Sequence, residues 1–233
     1  MNPSMKILLW KEWRENGINF LFSVIVLIIL RGLMAYLSRK YYPNTGDETE
    51  TFIIFSLLFC SVYGLIMGVG MFAMEYTSHT FPYLRTRPIY KKEIYYSKHL
   101  MAIFQFLGLT LIILLLSFIL DMQVFNKINI FMILLLPIFP MLFYIVSVFC
   151  SLVFKDMTRS TVISMMMSVI TLIMIIQFSN QLNETLNKQW LSTSDLLKWT
   201  TQNNLYIFLF SLLFIILYGI INTILFYRQE VRN

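Results

Sequence analysis

Few side chains in this 233-residue sequence are suited to bond-making chemistry. It holds two histidines, His79 and His99, and two cysteines, Cys60 and Cys150. Glu75 and His79 stand four residues apart, a spacing that places both on one helix face. A zinc site takes three or four ligands, and no second acid or histidine pair completes one here. No G-x-x-x-x-G-K-[ST] loop is present, so the chain has no phosphate cradle of its own. No G-x-S-x-G nucleophile elbow is present either. Read as buried thiols in two separate apolar stretches, Cys60 and Cys150 lie roughly 20 Å apart in depth at 1.5 Å per residue, too far to bridge. The expectation is a chain with no catalytic residue, no metal and no cofactor of its own.

Polar chemistry concentrates instead in one segment, running from Glu75 through Leu84-Arg85-Thr86-Arg87-Pro88-Ile89 to Lys91-Lys92-Glu93 and Lys98. Five basic and two acidic residues sit there among aromatics. Pro88 suits the first turn of a helix, where its missing N–H is not needed. Lys91, Lys92, Glu93 and Lys98 would then project around Ile89, Ile94 and Tyr95, giving a short helix with a basic rim and an apolar ridge. Two readings fit: contact with anionic lipid, which a juxtamembrane basic cluster provides, or docking of a cytoplasmic protein.

Those residues must be held by an unusually apolar chain. Hydrophobic residues make up 58% and charged residues 13% of the sequence, with mean hydropathy +0.71. Soluble domains carry roughly 45–50% apolar and about 25% charged residues. The composition excludes a soluble enzyme, a disordered chain and a nucleic-acid module; the net charge of +6 comes from basic residues beside membrane spans. A spanning helix needs about 20 apolar residues. Six stretches qualify: Ile18–Leu37, Phe52–Met74, His99–Leu120, Ile128–Phe154, Thr161–Asn180 and Asn204–Phe226. Helices are required because backbone groups in lipid must bond within their own segment.

Ahead of the first span, Asn2-Pro3 suits a helix start. Met5, Leu9, Trp10 and Trp13 cluster on one arc, opposite Lys11, Glu12, Arg14 and Glu15. Residues 1–17 read as an interfacial helix lying on the membrane, or else as an extension of the first span. With the N-terminus inside, twelve Lys and Arg residues fall on the cytoplasmic side. They are Lys6, Lys11, Arg14, Arg85, Arg87, Lys91, Lys92, Lys98, Lys155, Arg159, Arg228 and Arg232. Only five, Arg39, Lys40, Lys127, Lys188 and Lys198, fall outside. The positive-inside rule then predicts that both termini are cytoplasmic, with Arg31 near enough to the outer end of its span to snorkel.

Within the spans, Gly64-x-x-x-Gly68 allows close helix approach. Ser160, Ser164 and Ser168 fall on one stripe. Met165-Met166-Met167 reads as lipid-facing filler or as an adaptable cavity lining. Pro137 and Pro140 predict a kink in the fourth span. Gln105, Gln177 and Asn222 read as hydrogen-bonding links between helices. No span carries a central acid or a relay of ionisable groups, which ion-driven carriers use. A transporter of this kind must draw its energy from a partner.

The segment after the second span resembles the first cytoplasmic loop of ABC-2 type permeases, the membrane subunits of one class of bacterial ABC exporters. Glu75, Thr80, Leu84, Thr86, Pro88, Lys91-Lys92, Glu93-Ile94 and Lys98 match that pattern, and His79 stands where the family usually has glycine. Leu9-Trp10-Lys11-Glu12-Trp13-Arg14 is similar to the family's amphipathic N-terminal helix. The resemblance implies an all-α membrane protein forming a single ABC-2 type domain over residues 1–233. It implies six spans, a cytoplasmic coupling helix between spans 2 and 3, and short extracellular helices within Gln181–Asn203. It further implies a second permease subunit, identical or not, and a separate cytoplasmic ABC ATPase that carries ATP and Mg. Lys155, Asp156 and Arg159 would form a second cytoplasmic contact. The implied activity is export across the bacterial cell membrane by alternating access, and the apolar, aromatic and Met-rich side chains of the spans, with no charge to hold a small ion, predict an amphipathic or hydrophobic cargo. Rival readings are a non-transporting membrane protein that sequesters a peptide and an intramembrane protease, the latter lacking its acid and histidine pairs.

Overall fold

The computed structural model describes residues 3–41, 48–77, 91–120, 130–187 and 196–228. All six elements in these residues are α-helices: α1 (Pro3–Tyr41), α2 (Glu48–Thr77), α3 (Lys91–Leu120), α4 (Ile130–Phe154), α5 (Met157–Asn187) and α6 (Leu196–Arg228). Each is long and apolar enough to cross a membrane. At 1.5 Å per residue, helices of 25–39 residues reach roughly 37–58 Å. The hydrocarbon core is about 30 Å thick, so every helix carries turns beyond it.

Those extra turns bear on three expectations. The first 17 residues do not form a helix separate from the span, because α1 runs unbroken from Pro3 to Tyr41. Gly17 does not interrupt it: a lone helical glycine costs only about 1 kcal/mol, and the site packs beside the Trp13 ring. Likewise Lys91–Lys98 is no free-standing helix but the first turns of α3. On the far side, α5 continues to Asn187 and α6 begins at Leu196. The helical stretches expected within Gln181–Asn203 are therefore, in the described residues, the ends of long helices. Pro137 and Pro140 both lie inside the single helix α4.

The helices fall into two compact units. The first comprises Met1–Tyr63 and Ser78–Ile128. In it α1 packs against α3. Leu8 meets Ile94 and Glu12 meets Lys98, 86 residues apart in both cases. Further along, Phe20 lies against Gly108. Offsets of 86, 86 and 88 residues, nearly equal and of one sign, mean that the two helices run side by side and parallel, as spans one and three of an up-and-down chain must. The same unit buries the Tyr63 hydroxyl, which donates to Gln105 Oε1 at 2.7 Å. Arg31 is enclosed rather than snorkelling: its guanidinium sits 5.0 Å from the centre of the Phe52 ring.

The second unit comprises Gly64–Thr77 and Asn129–Asn233. Here α4 packs against both α5 and α6, and α5 against α6. Asn222 on α6 donates through Nδ2 to the carbonyl of Ile145 at 2.9 Å. Gln177, by contrast, is exposed, so it is not a buried link like Gln105 and Asn222.

Candidate functional site

The residues singled out in the sequence fall into three groups. The first surrounds the start of α3. Leu84, Thr86, Pro88 and Ile89 lie outside the described residues, as does the side chain of Lys91. Lys92 is exposed and Glu93 half-buried. Lys98 corrects the expectation of an exposed basic rim: it is 1% exposed. Its Nζ donates to Glu12 Oε1 at 2.9 Å, and Glu12 is itself 2% exposed. Ile94 and Tyr95, expected on an outward apolar ridge, are also buried. Helical geometry explains this, since Ile94 and Lys98 are one turn apart on the face that α3 turns toward Leu8 and Glu12 of α1. Lys92 stands off that face and remains outward.

Around this pair the start of α1 keeps a charged exterior. Lys6 and Arg14 are exposed, and Lys11 lies 3.6 Å from Glu15 one turn on. Trp10 and Trp13 are exposed as well. The pairing of Glu12 with Lys98 went unread in the sequence, where Glu12 sat on the polar arc of a supposed surface helix. The available signal was an acid and a base at the starts of two apolar helices destined to run parallel.

The second group closes the turn between α4 and α5. Lys155, Asp156 and Arg159 are all exposed. Lys155 has φ 55°, and its N–H reaches back to the carbonyl of Ser151 at 3.2 Å. That is the left-handed residue that commonly ends a helix. Asp156 is the N-cap of α5, its Oδ1 accepting the Arg159 N–H at 2.8 Å. Two residues thus reverse the chain, with the Lys155 ammonium 5.4 Å from the centre of the Tyr76 ring. Glu75, one residue before that tyrosine, is buried in the last turn of α2.

The third group is the packing seam. A Cβ on Gly64 would collide with the carbonyl of Pro140, and one on Gly68 with that of Tyr144. The partners are again a constant 76 residues apart, so α2 and α4 run parallel with their backbones in contact. Ser160, Ser164 and Ser168 are all buried, with Ser164 donating to the Thr161 carbonyl at 2.9 Å. Met165 and Met166 on the same helix are exposed.

The described residues thus offer packed helices, two charged helix starts and one tight exposed turn. Against known proteins, the sequence pattern of the ABC-2 family transporter proteins matches residues 6–174. The chain belongs to the ABC-2 transporter family. The match runs from α1 into α5 and takes in both the segment before α3 and the turn after α4. No curated protein and no solved structure matches the chain. Permeases of the ABC-2 family are transport subunits, not themselves catalytic, and they associate with ABC ATPases. Six membrane-capable helices in such a permease make this a multi-pass membrane protein.

Proposed function

We propose that this chain is the permease subunit of an ATP-driven exporter that moves an amphipathic or hydrophobic cargo, such as a membrane-active peptide, a lipid-like molecule or a drug, by alternating access. The observation that carries the reading is the ABC-2 family match over residues 6–174 in a chain with no phosphate-binding loop of its own. Energy then enters through a partner. ATP and Mg bind that separate ABC ATPase, and a second permease subunit completes the pathway. Glu75 and Leu84–Lys98 form the segment on which the ATPase acts. Lys155, Asp156 and Arg159, exposed on a turn with a fixed backbone, supply the second contact. The cargo class follows from the side chains available: apolar, aromatic and Met-rich surfaces, with no relay of charges to carry an ion. Both termini and Arg85–Lys98 lie on the cytoplasmic side of the cell membrane in this reading.

The test is reconstitution of the permease with a co-expressed ABC ATPase in sealed vesicles. ATP-dependent movement of an amphipathic peptide or drug, with sugars and small ions unmoved, is the expected result. Flux of sugar or ions alone overturns the cargo assignment. ATP-independent peptide binding without movement overturns the exporter reading in favour of sequestration.

A further inference from the structure

The ion pair between Glu12 and Lys98 is an unusual place for two full charges. Both side chains are almost wholly enclosed by protein, and their oxygen and nitrogen meet at 2.9 Å. Removing two charges from water carries a large penalty, and such a pair often adds little stability over a well-packed apolar one. In some proteins a buried polar or charged pair serves to fix register, and removing one partner strands the other charge. Lys11 lies 4.0 Å from the same Glu12 oxygen, but Lys98 is the closer and the buried partner. Here the register it sets joins two distant parts of the sequence. Leu8 touches Ile94 one turn before the ion pair on both helices. Phe20 meets Gly108 further along. The first turns of α1 and α3 are therefore joined by an apolar contact, a charge lock and a ring-on-glycine contact in succession.

We infer that Glu12 is a positioning residue for energy coupling: through Lys98 it clamps the start of α3 to the start of α1, so that displacement of the segment before α3 moves both helices as one body. The inference rests on the proposed reading of that segment as the ATPase contact. It adds that α1, which bears no residue of the contact motif, belongs to the moving part. Glu12 touches neither ATPase nor cargo in this account. Its loss uncouples the segment from α1 without removing a contact residue.

Two measurements test this, both on the full-length permease co-expressed with its ATPase. In the first, Glu12→Gln and Lys98→Met are compared with the reversed pair Glu12→Lys/Lys98→Glu at equal membrane abundance. The expected result is ATPase capture within about twofold of wild type for Glu12→Gln, export reduced tenfold or more, and recovery of most export in the reversed pair. Export by Glu12→Gln at the wild-type level overturns the inference. The second measurement does not depend on those variants accumulating. Leu8→Cys and Ile94→Cys are introduced together in a background lacking Cys60 and Cys150, and the new pair is cross-linked in membranes. A clamp that never opens during transport predicts undiminished export after cross-linking. Export that stops on cross-linking and returns on reduction overturns it. Failure of the underlying reading has a different signature, namely normal export by Leu84→Asp and Ile89→Asp. Failure of the clamp alone appears as normal Glu12→Gln export while those two variants are inactive.

Discussion

Gly68 on α2 meets α4 where its absent Cβ would lie 2.5 Å from the carbonyl oxygen of Tyr144. One turn earlier Gly64 faces the Pro140 carbonyl still more closely. The partner atoms are backbone within a helix, so they cannot rotate away as a side chain would. Among the described glycines, these two leave the least room for a methyl group.

Gly64→Ala and Gly68→Ala should each destabilise the permease by about 1–3 kcal/mol, the usual cost of overpacking a fitted contact. Gly70→Ala supplies the control, since nothing lies within 4 Å of a Cβ built there. Thermal inactivation of detergent-solubilised protein, followed by size-exclusion fluorescence, separates the two outcomes. Equal stability of Gly64→Ala and Gly70→Ala contradicts the close seam.

At the α4–α5 turn the capping role of Asp156 predicts a graded series. Asp156→Ala should cost about 1 kcal/mol, and Asp156→Ser or Asp156→Asn far less, because both keep a side-chain oxygen for the Arg159 N–H. Lys155→Gly relieves a left-handed backbone worth roughly 1–2 kcal/mol in a non-glycine residue. It also gives up the contact with Tyr76, worth about 0.5–1 kcal/mol at an exposed site. The expected net change is zero to slightly stabilising. Unfolding midpoints of the four variants read this directly.

Six apolar runs made the six helices legible, because spanning a bilayer demands uninterrupted hydrophobicity whatever the neighbours are. The helix ends were less legible. Residues 3–17 and 91–98 carry charges that read as surface, yet the helices continue through them, since Lys, Arg and Glu are good helix formers, and Glu12 and Lys98 are buried against each other. That pairing crosses 86 residues, and no local periodicity encodes it. Arg31 misled for the same reason: its enclosure beside Phe52 depends on where α2 returns. The glycine pair at 64 and 68 did announce a close approach. The identity of the opposing helix came only from the register with Pro140 and Tyr144.

The proposed cytoplasmic placement of both termini rests on the excess of Lys and Arg on one side. Single cysteines at Lys92→Cys and Gly46→Cys, each in a background without Cys60 and Cys150, test it with a membrane-impermeant maleimide applied to intact cells. Position 46 should label and position 92 should not. The reverse pattern contradicts a cytoplasmic N-terminus.

In the proposed function a separate ATPase drives this permease through the segment before α3. A docking interface of this kind concentrates its energy in desolvated apolar groups at its middle, while rim charges act mainly at low salt. The most direct measurement is capture of a co-expressed ABC ATPase by tagged permease carrying Leu84→Asp or Ile89→Asp, normalised to permease inserted in the membrane. Both variants should lose capture and export, whereas Lys91→Ala should cost about 1 kcal/mol or less, the usual worth of a charge at the rim of an interface, and Pro88→Ala should fall between. Wild-type capture and export by both Leu84→Asp and Ile89→Asp would contradict the account and leave lipid contact as the role of the basic residues.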